Sequence, residues 1–336
     1  MTRPPSHDRI LAAADRLAGL IGPTPLLPSP ALAQASGAAA VWLKVEALQH
    51  TGSFKLRGAS NRLALIPEES RPAGVVTCSS GNHAQAVAWA AARLGMPAAI
   101  VMPTDAPPVK RQRTEALGAE IHPYDRWRED REALARALTE ARGATFVHPY
   151  EDPEVIAGQG TVGLELVAQC RAANGQPPQT VLVPCGGGGL SAGVALAVDA
   201  LAPGCRVLAV EPEGLDDTAR SLRAGRRLAN PPEARSICDA LLAPEPGALT
   251  FSLNRALLAG GLAVGDGEVR RAMGWLFREH RVVAEPGGVV GVAALLARRL
   301  EVTGQRVVVV VSGGNVDPTL YAEVLGEMAG PAPGSA

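Results

Sequence analysis

A doubly wound α/β fold built on parallel sheets is predicted for this 336-residue chain by three observations. Short β-branched runs recur, each followed by an Ala- and Leu-rich stretch of helical length. The runs are continuously apolar rather than alternating, as strands covered on both faces require. Glycine-rich or small polar loops leave the ends of those runs, where ligands bind in sheets of this kind.

Taken in order, the first twenty residues, MTRPPSHDRILAAADRLAGL, carry charges at Arg3, Asp8, Arg9, Asp15 and Arg16. These interrupt any secretory core, and the apolar positions suit an amphipathic helix. AGVVTC (73–78) is followed by HAQAVAWAAARLG (83–95), AAIVMP (98–103) by VKRQRTEALGAE (109–120), and TVLVPC (180–185) by LSAGVALAVDALA (190–202). RVLAVEP (206–212) and RVVVVVSG (306–313) complete the series. The length predicts about two domains. Residues 74–148 hold one compact set of strand-helix units, and the PPQT turn at 177–180 opens a second. The expected division is 1–73 with 149–330 as the large domain, and 74–148 as the small one.

Aromatic residues make up only 3% of the chain, so the core must be built from Ala, Val and Leu. With 32 basic against 33 acidic residues and a formal charge of -1, nothing electrostatic points to nucleic acid or an anionic membrane. No apolar run approaches a membrane span. A small molecule is the expected partner, and the cytoplasm the expected compartment. Cys78, Cys170, Cys185, Cys205 and Cys238 are odd in number and dispersed, which indicates neither a disulfide framework nor a zinc knuckle.

Three strand-end loops carry the chemistry: SSGNH (79–83), GGGG (186–189) and SGGN (312–315). Four glycines between a buried strand and a helix leave backbone N–H groups bare at a helix N-terminus, where an anion is favoured. A phosphate is the natural occupant. GGGLSA (187–192) also satisfies the relaxed dinucleotide pattern, with Glu211 ending the next strand, so on this loop alone a nicotinamide-dependent oxidoreductase stays open. A Walker-type loop does not, since no G-K-[ST] follows.

The other loops and the stretch TGSFKLRGAS (51–60) bear on that choice. Lys55 stands beside Phe54 among small polar residues, in a segment too polar for core and too small for an ordinary charged face. Pyridoxal phosphate has a use for every part: an amine for its aldehyde, a phosphate cradle, a partner for the ring nitrogen and a loop for the substrate carboxylate.

From about residue 22 to 320 the chain resembles the fold-type II pyridoxal-phosphate enzymes of the threonine/serine dehydratase and serine racemase group. The resemblance rests on TPLL (24–27), KVEALQHTGSFKLRGA (44–59), SSGNHAQAVAWAA (79–91), IAGQGT (156–161), PCGGGGLSAG (184–193), AEPGGVVGVAALL (284–296) and SGGN (312–315). It implies two doubly wound parallel-sheet domains of the tryptophan synthase β-like type. The large one would bind the cofactor, and the small one would close on the substrate.

By the same resemblance, Lys55 is the Schiff-base lysine, with Phe54 packed near the ring. Gly186, Gly187, Gly188 and Gly189 hold the phosphate, Ser312 offers its hydroxyl to the ring nitrogen, and Asn82 bonds the phenolic oxygen. A neutral hydroxyl at the ring nitrogen favours elimination over chemistry that needs a long-lived carbanion. Ser79, Ser80, Gly81, Asn82 and His83 receive the substrate carboxylate, and His83 has no proton-transfer role. Ser80 matches the serine that exchanges a proton opposite the lysine in racemases, and a serine there also occurs in dehydratases.

EPEGLDD (211–217) resembles a stretch that holds a divalent ion, with Glu211, the Leu215 carbonyl and Asp217 as oxygen ligands suited to magnesium or calcium. A solvated acidic turn is the alternative. His50 replaces the lysine of nucleotide-activated racemases, so ATP activation is not implied. Tyr150 stands where those racemases have an asparagine and matches catabolic threonine dehydratases. The chain ends soon after SGGN, so no isoleucine-binding regulatory domain is expected.

The implied reaction is α,β-elimination. Lys55 removes the α-proton, the β-hydroxyl leaves as water protonated by the cofactor phosphate or a group near it, and a 2-oxo acid and ammonia result. L-Threonine and L-serine are the default substrates, with serine racemase and 3-hydroxyaspartate dehydratase as alternatives. A homodimer is implied by resemblance alone.

Overall fold

The computed structural model describes residues 5–79, 81–106 and 108–328. Its strands are β1 (Leu26–Pro28), β2 (Ala40–Val45), β3 (Val75–Cys78), β4 (Ala98–Pro103), β5 (Glu120–Tyr124), β6 (Thr145–Phe146), β7 (Thr180–Pro184), β8 (Arg206–Pro212), β9 (Gly260–Val264) and β10 (Arg306–Val311). They form a six-stranded sheet in the order β1-β2-β10-β7-β8-β9 and a four-stranded sheet in the order β5-β4-β3-β6. Every pairing is parallel except that of β1 with β2.

The valine run of β10 shows why the continuous apolar pattern signals a doubly covered sheet. Alternate side chains leave opposite faces of a strand. Val307, Val309 and Val311 pack with the helices Asp266–His280 and Val290–Leu296. Val308 and Val310 pack with Pro153–Asn174 and Gly189–Leu201 on the other side. The small sheet behaves alike: Ile100 and Met102 of β4 face one core, Ala99 and Val101 another.

Glycines let the covering helices approach. A Cβ on Gly158 would meet the backbone of Arg57 and Gly58, and one on Gly193 would meet that of Ile156 and Gly160. The IAGQGT segment is thereby a contact surface at which the helices Lys55–Ala64 and Gly189–Leu201 both lie close to Pro153–Asn174. The helix Lys55–Ala64 also contributes Leu56, Ala59 and Leu63 to the core beneath the small sheet, alongside Ala84 and Val87 of the helix Asn82–Arg93.

Arg57 anchors that helix from below. It is 1% exposed, and its guanidinium donates to both oxygens of Glu46 (2.7 and 2.9 Å) and to Glu165 (2.5 and 2.8 Å). The fully buried Lys44 adds a second cation to Glu165 and donates to the Thr24 carbonyl (2.8 Å). Charges this deep persist only when paired and hydrogen-bonded. No disulfide forms among the five cysteines. Among the described residues no helix is long and apolar enough to cross a membrane.

Candidate active site

One cavity lies at the carboxyl ends of β3, β7 and β10. Phe54, Lys55, Ser79, Gly81, Asn82, His83, Gly186, Gly187, Gly188, Gly189 and Ser312 all line it. Residues from across the whole chain are thus brought together as the strand-end rule requires. Ser80 lies outside the described residues. Glu211, Leu215 and Asp217 are not part of the lining.

Lys55 begins its helix, and its amine reaches the main-chain carbonyl of Pro149, to which it donates at 2.8 Å. Burial, and after it the charge of the Arg131 guanidinium, lowers its pKa to about 8 against a smaller upward pull from Glu285. The turn that accepts this bond is itself tightly held. His148 Nδ1 accepts the N–H groups of Tyr150 (3.2 Å) and Glu151 (2.8 Å), and the Tyr150 ring packs edge-on to His148. Glu151 in turn accepts the Leu249 and Thr250 N–H groups at the start of the helix Ala248–Leu257.

The glycine loop follows β7 and runs into the helix Gly189–Leu201. Gly188 sits at φ +89°, a left-handed conformation open mainly to glycine, and a Cβ there would meet Thr250 and Asn254. On Gly187 a Cβ would collide with the ring of Tyr150. The four bare backbones curve between β7, Tyr150 and the helix Ala248–Leu257, and their N–H groups stand at a helix N-terminus.

Asn82 is held on both sides. Its amide nitrogen donates to Glu285 Oε1 (2.6 Å), and its oxygen accepts from the Asn315 amide (2.8 Å). Glu285 is 1% exposed, and its other oxygen has no hydrogen-bond partner. Burial, then the charge of Asp239, raises its carboxyl pKa to about 7 against the pull of Lys110, Asn82 and Lys55. His83 is 2% exposed; burial, with Lys55 nearby, drives its pKa well below the usual value and keeps the ring neutral. Its Nε2 faces the Val147 carbonyl at 3.3 Å.

Several lining residues were given no role from the sequence: Lys110, Arg126, Arg131 and Asp239 lie outside the motifs, and Glu285 lies inside AEPGGVVGVAALL without one. Lys110 is paired with Asp239, and Arg126 with Asp105. Arg131 makes no hydrogen bond or ion pair among the described residues. Glu285 stands as a lone carboxylate in the otherwise apolar segment 282–296, which is a readable oddity; Arg131 is one charge in a charged run and gives no such sign. A larger cleft of about 550 Å³ shares only Tyr150 with this cavity and gathers surface acids and bases such as Glu132, Arg136, Arg227 and Glu245.

The EPEGLDD stretch ends β8 and opens the helix Asp217–Ala224. Glu211 is fully buried and accepts the N–H groups of Thr218 (2.9 Å) and Ala219 (2.8 Å). Asp217 is 1% exposed; one oxygen accepts from Asn230 (2.6 Å), and the other is buried without a partner. Burial, followed by the charge of Asp217, raises the Glu211 pKa to about 8; burial raises that of Asp217 to about 7. Among the described residues no group of three or more His, Cys, Asp or Glu gathers around a point. An orphaned carboxylate oxygen beside a second buried carboxylate fits a cation with oxygen ligands.

A half-buried lysine of lowered pKa and a run of bare glycine backbone lining one cavity, at the strand ends of a doubly wound sheet, are the parts that a cofactor-dependent enzyme working through an amine requires. The chain belongs to the pyridoxal-phosphate dependent enzymes: the model of that family matches residues 17–313. Within the family it falls among the ammonia-lyases and racemases. It is 42% identical over 320 residues to an L-threo-3-hydroxyaspartate ammonia-lyase of a Pseudomonas species, covering 95% of this chain and 98% of that one. It is 40% identical to an L-threonine ammonia-lyase of Thermotoga maritima, over 94% of this chain and 77% of that one. Its fold superposes on the structure of maize serine racemase with a TM-score of 0.89 at 37% identity, covering 97% and 99% of the two chains. The cavity fits the family's cofactor on its own terms. It offers a glycine loop whose space side chains would fill and a lysine amine of lowered pKa.

Proposed function

We propose that this protein is an ammonia-lyase for β-hydroxy amino acids and that it prefers one with a second carboxylate, 3-hydroxyaspartate, over L-threonine and L-serine. The observation that carries the preference is Arg131: a cation lining the cavity, whose charge lowers the Lys55 pKa and which makes no hydrogen bond or ion pair among the described residues, its acidic neighbour Glu132 being bonded to His148 instead. An arginine fork left unpaired in a lined cavity matches a carboxylate. The likeness to hydroxyaspartate ammonia-lyases supports the same choice. L-Threonine is the second reading, favoured by Ala240, Leu241 and Leu242, an apolar part of the lining suited to a methyl group.

Pyridoxal phosphate, when bound, supplies the electron sink that makes the substrate's α-proton acidic. Lys55 binds it and then takes that proton; a pKa near 8 leaves a useful fraction of neutral amine at neutral pH. Gly186 to Gly189 hold the phosphate, Ser312 and Asn82 fix the ring, and Phe54 covers it. Ser79, Gly81 and the start of the helix Asn82–Arg93 receive the α-carboxylate, with Ser80 as the candidate for exchange on the opposite face. Arg131 holds the β-carboxylate. The β-hydroxyl leaves with a proton as water, and hydrolysis of the released enamine gives oxaloacetate and ammonia.

Two further readings belong here. Residues 74–148 form a small domain that closes over substrate held by the large one (1–73 and 149–330). Glu211, the Leu215 carbonyl and Asp217 hold magnesium or calcium away from the cavity.

The test is kcat/KM for L-threo-3-hydroxyaspartate, L-threonine and L-serine, with ammonia and the 2-oxo acid assayed together, for the native protein and Arg131→Met. The expected result is a preference for hydroxyaspartate that Arg131→Met abolishes, with turnover of threonine little changed. A native preference for threonine, or equal losses on all three substrates, rejects the dicarboxylate assignment. D-Serine formation exceeding ketoacid formation would make the protein a racemase.

A further inference from the structure

The carboxamide of Asn82 has two orientations of equal shape, and only one presents a donor to the cavity. Three side chains and one main-chain carbonyl settle which. Arg113 Nη1 donates to Asn315 Oδ1 (3.1 Å), and Asn315 Nδ2 donates both to the Thr51 carbonyl (2.8 Å) and to Asn82 Oδ1 (2.8 Å). Asn82 Nδ2 then donates to Glu285 Oε1 (2.6 Å). Every link has a fixed polarity, because a guanidinium only donates and a main-chain carbonyl only accepts. Turning Asn82 over would set its oxygen against the Glu285 carboxyl and its N–H groups against those of Asn315. A relay that starts on a cation and ends on a carboxylate also polarises each bond in the same direction.

Packing reinforces the relay. A Cβ on Gly52, at φ +74°, would press on the Asn315 amide, and one on Gly313 would meet Glu285 and Asn82. With one N–H of Asn82 spent on Glu285, the other remains for the cavity that Asn82 lines.

We propose that Glu285 and Asn315 are positioning residues that lock the Asn82 carboxamide with its free N–H toward the cofactor's phenolic oxygen. The inference rests on the cofactor reading of the cavity given above. It predicts that both residues act on cofactor binding only through Asn82.

The experiment is a double-mutant cycle on pyridoxal phosphate affinity, with Kd and the absorption maximum of the bound chromophore measured on the apoprotein. Glu285→Ala is expected to weaken binding about tenfold, the usual scale for a supporting hydrogen bond behind a ligand, and to move the absorption maximum. Glu285→Gln keeps the volume and an acceptor oxygen, so it should stay within about twofold of the native protein, since the bond it preserves is worth only about 1 kcal/mol. In the Asn82→Ala background, Glu285→Ala should change neither quantity. Asn315→Asp, which exchanges a donor for an acceptor at constant volume, gives the same cycle if Glu285→Ala does not fold. Losses that multiply in the double variant, or Glu285→Gln as damaging as Glu285→Ala, overturn the positioning role while leaving the cofactor reading intact. Failure of the native protein to bind pyridoxal phosphate overturns both.

Discussion

The amine of Lys55 donates to the carbonyl of Pro149 at 2.8 Å, although the two residues are 94 positions apart. That bond ties the lysine to the turn whose next residue, Tyr150, packs on the glycine cradle. The Lys55 amine and the glycine loop 186–189 are therefore set relative to one another by a single short segment. Lys55→Ala should remove the covalently bound chromophore while leaving the fold intact, as an absorbance spectrum and a thermal melt of the same sample would show.

The pH dependence follows from the same amine. Its pKa lies near 8, below the ordinary lysine value of 10.5, so at any given pH more of it is neutral than in a free lysine. Capture of pyridoxal phosphate requires the neutral amine. The capture rate of the apoprotein should rise with pH and level off just above 8, and Arg131→Met should move that inflection upward by removing a repelling charge. A native rate still climbing near pH 10 would contradict the assignment.

Gly187→Ala sets a methyl group into the ring of Tyr150. Overpacking of this kind costs roughly 1–3 kcal/mol and forces the cradle or the turn to shift. Cofactor Kd should rise by at least about tenfold, given that 1.4 kcal/mol is one decade. Gly326→Ala, in the helix Pro318–Met328 with open space around it and an ordinary backbone, is the control and should leave Kd unchanged.

Arg57→Met strands the buried carboxylate of Glu46 and leaves the half-buried Glu165 with Lys44 alone, beneath the helix that carries Lys55. Removing one partner of a buried ion pair typically costs on the order of 3–5 kcal/mol. Denaturant unfolding should show a loss of that size, larger than for exposed pairs such as Arg299 with Glu213.

Magnesium or calcium should raise the unfolding midpoint of metal-stripped protein, because the folded state alone would gather Glu211 and Asp217. Asp217→Asn should abolish the increment. A midpoint indifferent to either ion in the native protein would leave Glu211 as a cap for the helix Asp217–Ala224 and nothing more.

The strand-helix series and the three strand-end loops were readable from residue order because their causes are local. A strand covered on both faces must be apolar over almost its whole length, as β4, β7 and β10 are, and a run of bare backbone at a strand end stands out by composition alone, as residues 186–189 do. Short or glycine-rich edge strands such as β1, β6 and β9 carry too little of that pattern to stand out. Lys55 was legible through its small neighbours, and SGGN through its glycines, yet neither motif says what its polar groups face. Those partners come from folding. Asn82 meets Glu285 across 203 positions and Asn315 across 233, and Arg131 reaches the cavity lining without an ion pair only because of where its helix comes to rest. Hydrogen bonds and ion pairs act over a few ångströms whatever the separation along the chain, so the loops that line the cavity were written in local composition while the polar partners they meet were decided by the packing of two sheets.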